Sequence, residues 1–358
     1  MKFIKKIVLI STSGIFLAGC SARIDDIGYY DRNDNQRVIS ADEVYSTLSD
    51  SMNNYENVTK YDGTLSMDTV KEAMFKIRHD HPDLFWLDSY VLTESNGSVK
   101  LELSPMNGYS SEELEKMHRE LISAADSLIA DMPSGLDDYG KILYVHDKLV
   151  LSTDYDKVGA LSSKNGLWGT AYGCLVQGNA VCQGYAEAFQ YIMNQLGIEC
   201  GVCTGESVNG SHAWNYVNLN GKYYWLDVTW DDPDFGGETD SSIIHSYFLI
   251  DDEHLKRTRE VDSECFYMPE CFSMDDNYYM HSGTYLTYYN FNELAEILAA
   301  NSDQRRAEIM FANSAAYDIA MADLFDNGKI WELTAETNAA ESITYTNDDT
   351  MCMLIIEY

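Results

Sequence analysis

The sequence predicts an α+β protein whose central part packs one helix on an antiparallel sheet. Apolar residues recur at steps of four and three from Cys182 to Leu196, and Gly197 follows as a helix-ending glycine. Two Asn-Gly pairs, at Asn209 and Asn220, then predict tight hairpin turns and therefore three antiparallel strands. These two observations place a helix next to a sheet within one stretch of chain.

The flanking segments predict further structural units, because 358 residues suffice for two or three domains. Residues 41–132 are expected to form helices around a strand hairpin with its turn at 95–98. A breaker cluster near Pro133 begins the core, 133–255, and a charged connector, 256–275, follows it. Residues 276–358 predict a small α/β domain with two helices and the buried strands "AEIMF" and "MCMLIIEY".

Residues 1–20 predict an export signal. Lys2, Lys5 and Lys6 precede an apolar run that is too short to span a membrane, and "LAGC" resembles the lipobox of bacterial lipoproteins. That resemblance implies lipidation of Cys20, with residues 21–40 as a flexible tether. We therefore expect an exported protein, lipid-anchored to the outer face of the bacterial cell membrane. The alternative is a plain secretory signal with a chance cysteine.

The charge of the chain excludes one class of partner. Without the first nineteen residues, 21 basic and 58 acidic residues remain, a net charge of −37. Such acidity makes nucleic acid an improbable partner and favours solubility outside the cell. Of the eight cysteines, seven remain after Cys20, and their spacing specifies no disulfide framework.

Cys182 occupies the first turn of the predicted helix and points inward with its apolar stripe. A helix N-terminus carries partial positive charge and unpaired N–H groups, which favour a thiolate and could hold an oxyanion. The alternative is a small buried hydrophobic residue, which is the commoner role of an inward cysteine. A partner base is needed to decide between the two.

The hairpin at Asn220 supplies that base. If Asn220 and Gly221 form a two-residue loop, the continued register sets Trp214 opposite Asp227 and His212 opposite Thr229. His212 and Asp227 then become diagonal neighbours on one face, within reach of a hydrogen bond.

We expect the Cys182 helix to cover the face that carries His212, Trp214 and Tyr216, which would bring the thiol to the imidazole. Cys182 would then attack, His212 would move its proton, and Asp227 would orient the imidazole.

Three segments, "VCQGYAEAF", "SHAWNYV" and "YYWLDVTWDD", resemble the motif blocks of the transglutaminase-like superfamily, over residues 136–247. The segment "DHPDLFW" is similar to what often precedes this core. The resemblance implies a papain-like core with Cys182 as nucleophile, His212 as base and Asp227 as orienting acid. It implies a thioester intermediate but leaves the reaction open, because the family includes cross-linking transglutaminases, peptidases and inactive copies.

The sequence also offers candidates for the oxyanion donor and for the substrate cleft. Papain-like enzymes donate to the oxyanion from a side chain shortly before the cysteine, and Gln177 is slightly favoured over Tyr172 for this part. Gln177 could equally be a surface loop residue. Trp214 and Trp230 are candidates for the substrate cleft. We expect no cofactor and no metal.

Three motifs that could bind metals have simpler explanations. Cys200 and Cys203 form a C-x-x-C within a predicted strand, which points them to opposite faces, with Cys203 on the His212 face. His79 and His81 are expected to belong to a turn before packed aromatic residues. Asp231, Asp232 and Asp234 suggest a calcium loop, but their spacing fits a solvated acidic rim better.

The sequence as a whole therefore predicts a surface-anchored cysteine enzyme that acts on amide bonds of extracellular proteins or peptides, with hydrolysis weakly favoured over transfer to an amine. The alternative from another class is a binding or scaffold lipoprotein that keeps the fold without turnover. The substrate and the oligomeric state are left open.

Overall fold

A computed structural model describes residues 37–95, 97–162, 164–232, 243–262, 267–336 and 343–358, together with the backbone of 6–11. Helices and mainly antiparallel sheets alternate along it, which confirms the predicted fold class. Cys20 and most of the predicted signal and tether lie outside the described residues. None of the helices in the described ranges combines the length and apolarity needed to cross a membrane.

The N-terminal region builds a four-stranded sheet with order β1-β3-β4-β2. The predicted hairpin forms β3 and β4, which pair from Ser95 and Ser98 onward. Helix α3 starts at Ser111, because Ser110 and Glu113 close a capping box at its first turn. The elements are β1 (Lys6–Ser11), α1 (Ala41–Asn53), β2 (Val58–Asp62), α2 (Met67–Asp80), β3 (Leu87–Ser95), β4 (Ser98–Pro105) and α3 (Ser111–Ala130).

The central part contains the predicted helix and sheet. Helix α5 has the predicted bounds, Cys182–Leu196, and Gly197 ends it at φ 73°. The two-residue loop is confirmed, since Leu219 pairs with Lys222. The elements are α4 (Asp138–Ser152), β5 (Asp154–Tyr155), β6 (Asn179–Ala180), α5, β7 (Cys200–Ser207), β8 (Gly210–Leu219), β9 (Lys222–Leu226) and β10 (Arg259–Val261), and the sheet has the order β10-β7-β8-β9.

The pairing of β8 with β9 is shorter than predicted. It stops at Asn215 and Leu226, so the predicted continuation to Asp227 and Thr229 is wrong. The physical reason is that the Asp227 carboxylate accepts the backbone N–H groups of Thr229 and Trp230, each at 3.1 Å, and turns the chain out of the strand.

Helix α5 covers the opposite face of the sheet from the one predicted. Cys182 and Ala186 pack on Ala213, and the Ala186 carbonyl accepts the Asn215 amide at 2.9 Å. The face of His212, Trp214 and Tyr216 is covered instead by the chain after β9 and by methionines of the C-terminal sheet. Strand alternation fixes which residues share a face, but both faces of β8 are apolar, so the sequence did not decide which one receives the helix.

Helix α5 is buried on all sides rather than along one stripe, from Cys182 to Met193. Its polar side chains form hydrogen bonds to one another and to the end of α2. Arg78 donates to Glu187 at 2.9 Å, Gln183 donates to the same carboxylate at 2.7 Å, and Gln190 donates to the His79 carbonyl at 2.5 Å. These bonds offset part of the cost of burying polar groups, although the Gln190 side-chain oxygen has no hydrogen-bond partner among the described residues, and they fix the N-terminal region on the core helix.

The C-terminal region forms a third sheet, with order β11-β12-β14-β13. The two predicted buried strands are confirmed as β12 and β14, and the first of the predicted helices spans Phe291–Ala300. The segment predicted as a connector contains β10, which extends the core sheet. The remaining elements are α6 (Asp252–Leu255), α7 (Tyr278–Ser282), β11 (Tyr285–Leu286), α8 (Phe291–Ala300), β12 (Arg306–Phe311), α9 (Ser314–Met321), α10 (Ile330–Glu336), β13 (Thr344–Asp348) and β14 (Met353–Glu357).

We predict that Gly205→Ala destabilises the fold at the junction of β7 and β10. A Cβ atom there would lie 1.9 Å from the Glu260 carbonyl oxygen, so β10 would have to move. Such overpacking costs about 1–3 kcal/mol. Gly169→Ala is the control, because a Cβ at Gly169 meets nothing within 4 Å. Denaturant unfolding of both variants measures the difference, and equal stabilities would contradict the prediction.

Candidate active site

Cys182 is placed by the segment that precedes α5. Val181 is extended and donates its N–H to the Trp168 carbonyl at 2.9 Å, so the helix starts directly after it. A Cβ at Gly184 would lie 2.6 Å from the same carbonyl oxygen, so only glycine allows this approach. The Cys182 side chain is a free thiol, and the residue is 5% exposed. By helix geometry the first N–H groups of α5 lack partners within the helix.

His212 and Asp227 meet as an ion pair. His212 Nε2 lies 2.7 Å from Asp227 Oδ2, and both side chains are buried. The imidazole also interacts with Cys182, both through a hydrogen bond and through charge. Because Nε2 faces Asp227, Nδ1 is the nitrogen available to the thiol. The three residues proposed from the sequence therefore lie together.

The electrostatics of this group favour an ionised pair. Burial alone would lower the pKa of His212, but the charges of Asp227 and Cys182 and the hydrogen bonds to them raise it to about 9. Burial would raise the pKa of Asp227, but His212 and Arg259 lower it to about 2. Asp227 therefore stays a carboxylate and supports a charged imidazole.

Arg259 is a site residue that the sequence analysis missed. It is buried on β10, its Nη1 contacts Asp227 Oδ2, and its guanidinium lies 4.3 Å from the centre of the Trp230 ring and 4.5 Å from that of Tyr247. The aromatic rings and the carboxylate together compensate a buried cation. No local signal marks Arg259, because it reaches Asp227 only through the pairing of β10 with β7.

Tyr155 is a second such residue. Strand β5 pairs in parallel with β6, which sets Tyr155 beside Ala180, two residues before Cys182. Burial raises the pKa of the Tyr155 hydroxyl, and the charges of Cys182 and Asp227 raise it further. The neutral hydroxyl therefore lies close enough to the site to sense both charges.

Of the two oxyanion candidates, Tyr172 is engaged away from this group. The Tyr172 hydroxyl donates to Glu120 at 2.8 Å, and its ring stacks on Phe85 with centroids 5.2 Å apart. Tyr172 is therefore a core residue, and its hydroxyl is already engaged. Gln177 ends a single π-helical turn, Gly173–Gln177, and among the described residues no hydrogen bond links it to Cys182.

The two candidate cleft residues differ. Trp214 is 1% exposed and packs in the core below His212, so its placement in an open cleft is wrong. Trp230 is half-buried, and its ring centre lies 5.5 Å from that of His212. Trp230 thus lies at the edge of the site.

The cysteine and histidine motifs have structural roles. Cys200 and Cys203 lie on opposite faces of β7, as predicted, and Cys203 pairs with Trp214 on the His212 face. His79 Nε2 contacts the Tyr216 hydroxyl at 2.9 Å, while His81 contacts a different tyrosine hydroxyl. The two histidines therefore have separate partners.

The predicted acidic rim after Asp227 is wrong for the described residues, since Asp231 and Asp232 are buried. Asp231 accepts the Tyr247 N–H at 3.0 Å, and Asp232 accepts the Tyr185 hydroxyl at 2.7 Å. Sequence alone could not show this, because the partners lie far along the chain. Asp234 is outside the described residues.

Residues 127–229 match the family model of the transglutaminase-like superfamily. This segment, which includes Cys182, His212 and Asp227, is similar to the core of that superfamily. It overlaps the range 136–247, in which the sequence motifs resemble that superfamily.

The chain is also similar to two solved structures. One is described as a crystal structure of a TGase. It is 15% identical in sequence, the match covers 48% of this chain and 50% of that chain, and the TM-score is 0.29. The other is described as a "Putative Cysteine Protease" from Cytophaga hutchinsonii. It is 13% identical in sequence, the match covers 40% of this chain and 57% of that chain, and the TM-score is 0.26. The match thus spans about half the length of these proteins. No curated protein matches the chain.

We predict that His212 makes stability fall in mildly alkaline solution. Its folded pKa, about 9, lies above the ordinary 6.5, so its contribution is complete below pH 6.5 and is lost as the pH rises through 9. The unfolding free energy of the wild type relative to His212→Gln should therefore decrease by up to about 3 kcal/mol over this range. Denaturant unfolding at several pH values measures it, with His81→Gln as control. A constant difference would contradict the assignment.

We predict that Arg259→Met destabilises the fold by about 3–5 kcal/mol, because it leaves Asp227 with one cationic partner instead of two in a buried place. Arg119→Gln, which breaks an exposed pair one helical turn apart, should cost less than 1 kcal/mol. Chemical unfolding of both variants tests the contrast. A neutral Arg259→Met would show that the guanidinium does not stabilise the carboxylate.

Proposed function

We propose that the protein is a cysteine acyl-transfer enzyme that acts on amide bonds of extracellular proteins or peptides. The observation that carries the proposal is the position of His212 between Cys182 and Asp227, within the segment that matches the transglutaminase-like superfamily. A thiol, a base and an orienting carboxylate in this order are the parts that amide attack by sulfur needs.

The proposed reaction has two halves. The Cys182 sulfur attacks the amide carbonyl with the thiol proton already held by His212, and this proton passes to the nitrogen as the C–N bond breaks. The products of this half are a thioester on Cys182 and a free amine. Water or a second amine then attacks the thioester, gives its proton to His212, and releases the acid or the new amide as the thiol is restored.

Arg259 and Tyr155 support this chemistry as positioning residues. Arg259 keeps Asp227 ionised, so the carboxylate stabilises the imidazolium that forms when His212 takes the proton. The Tyr155 hydroxyl and the first N–H groups of α5 are the proposed oxyanion donors, because β5 sets Tyr155 beside Ala180 and α5 begins at Cys182.

Hydrolysis is favoured over transfer to a protein amine because the site is nearly closed. Cys182, His212 and Asp227 are all at most 5% exposed. Water enters such a site more readily than the side chain of a second protein. The strong negative charge of the chain also favours neutral or basic substrates over acidic ones.

We also propose that lipid at Cys20 holds the protein on the outer face of the cell membrane, on the basis of the "LAGC" motif. Cleavage before Cys20 would remove β1 and leave β3 as an edge strand.

The second candidate function is a binding or scaffold lipoprotein without turnover. The near closure of the site favours it, because Cys182, His212 and Asp227 are each at most 5% exposed.

The deciding experiment uses the full chain, a glutamine-rich protein and a labelled amine in H₂¹⁸O. Mass spectrometry of the products separates cleaved peptide bonds, deamidated glutamine and incorporated amine. We expect ¹⁸O in a new carboxyl group, and at least a 1,000-fold lower rate for Cys182→Ala, because the nucleophile is removed.

Cys174→Ala is the matched control, since Cys174 is also a buried free thiol but lies outside the site. Alkylation of Cys182 by iodoacetamide should slow in His212→Gln. If no product forms and alkylation is indifferent to His212, the scaffold function is the correct one.

A further inference from the structure

A second buried cluster of titratable side chains lies apart from the three site residues. His146 on α4 and His245, in the segment after the Asp227 turn, have ring centres 5.5 Å apart. Asp147 Oδ1 lies 2.9 Å from His146 Nδ1 and 3.2 Å from His245 Nε2. These three atoms are within 4.8 Å of one another. Two imidazole nitrogens and a carboxylate oxygen therefore converge on one point.

Each histidine also has a carboxylate behind it. His146 Nε2 lies 3.2 Å from Asp231 Oδ2, and His245 Nδ1 lies 3.3 Å from both oxygens of Glu308. A histidine that binds a metal through one nitrogen typically donates its other N–H to a carboxylate, which fixes the ring and makes it a better ligand. Both rings of this cluster have that arrangement.

The rings are also held by apolar neighbours. The His245 ring stacks on Tyr278 with centroids 3.8 Å apart, and the edge of Phe248 packs on His146 at 5.2 Å. The side chains of both histidines are at most 7% exposed, while Asp147 is 33% exposed. The cluster is thus rigid on its inner side and open to solvent at its carboxylate.

The charges of the cluster match a divalent cation. Asp147, Asp231 and Glu308 contribute three negative charges, and Arg306, which contacts Glu308, contributes one positive charge. With neutral imidazoles, two negative charges are left in a largely buried place, which is costly unless a cation balances them.

We propose that His146, Asp147 and His245 bind a zinc ion, with water as the fourth ligand on the exposed side of Asp147. Zinc takes nitrogen and carboxylate ligands at about 2.0–2.2 Å, which places tetrahedral ligand atoms about 3.4 Å apart. The two contacts of Asp147 Oδ1 are already close to that spacing. Imidazole ligands favour zinc over Mg²⁺ and Ca²⁺, which prefer oxygen alone.

The ion has a structural role, because it connects three parts of the molecule. His146 belongs to α4, and Glu308 belongs to β12 of the C-terminal sheet. Asp231 lies in the turn that Asp227 begins, because its N–H donates to the Asp227 carbonyl at 3.2 Å. Zinc therefore fastens the C-terminal sheet and the Asp227 turn to α4, whether or not Cys182 turns over a substrate.

The test measures zinc binding by the full chain in the Cys182→Ala background, after dialysis against a chelator, by competition with a chromophoric chelator. We expect one zinc per chain and a rise in Tm of about 5 °C at a hundredfold excess of zinc over Kd. Mg²⁺ and Ca²⁺ at the same concentration should leave Tm unchanged. Co²⁺ in place of zinc should give tetrahedral visible bands without a sulfur charge-transfer band.

Asp147→Asn is the decisive variant, because Asp147 is partly exposed and the amide keeps its volume. It should lower zinc affinity at least about 100-fold, and Glu308→Gln should lower it about 10–100-fold. His254→Gln is the matched control, since His254 is a buried histidine with one carboxylate partner, Asp251, at 2.7 Å.

Full zinc affinity in folded Asp147→Asn, a thiolate spectrum with Co²⁺, or no zinc bound by the parent chain would each overturn the proposal. If the parent chain binds no zinc, protons on the two histidines balance the negative charge of the cluster instead. Because every readout is binding or stability, failure here is distinct from failure of the proposed enzymatic function.

Discussion

The buried carboxylate of Asp227 is the constraint on which the site depends. It accepts two backbone N–H groups of its own turn, pairs with His212 at 2.7 Å, and contacts Arg259. A buried carboxylate is stable only when its lone pairs are satisfied and its charge is balanced. Asp227 therefore ends β9, orients the imidazole and requires the strand that carries Arg259.

The contact between Arg259 and Asp227 depends on a glycine in β7, Gly205. Gly205 of β7 lies opposite His212 of β8 on one side and opposite Val261 of β10 on the other. The absence of a side chain lets β10 approach, so the guanidinium of Arg259 reaches below the His212 face. A glycine in a strand interior weakens the strand by itself, but here it allows a close backbone approach that the site uses.

Local signals in the sequence predicted much of the fold and of the site. The bounds of α5, the two-residue loop after Leu219 and the strands β12 and β14 follow from spacing, turn residues and apolar runs, which depend on near neighbours only. Cys182 and His212 were found in this way, since each lies on an element with a clear pattern.

What the sequence could not predict depends on contacts between distant segments. The face of the sheet that α5 covers is decided by which apolar surface the C-terminal sheet takes, and both faces of β8 are apolar. Arg259 and Tyr155 reach the site from strands of two or three residues, which are too short to show a period. The burial of Asp231 is not visible in the sequence, because its partners, His146 and the Tyr247 N–H, lie 85 and 16 residues away.

The polar residues buried between the parts of the molecule explain why the core cannot be separated from its neighbours. On one side, Arg78 of α2 neutralises Glu187 inside α5. On the other, Glu308 of β12 faces His245, next to the turn that Asp227 begins. Removing either flank would leave a charge buried in the core without its partner, which costs more than the pair contributes. The N-terminal and C-terminal regions therefore stabilise the helix of Cys182 and the turn of Asp227 from opposite sides, and the geometry of the site depends on all three four-stranded sheets of the described residues.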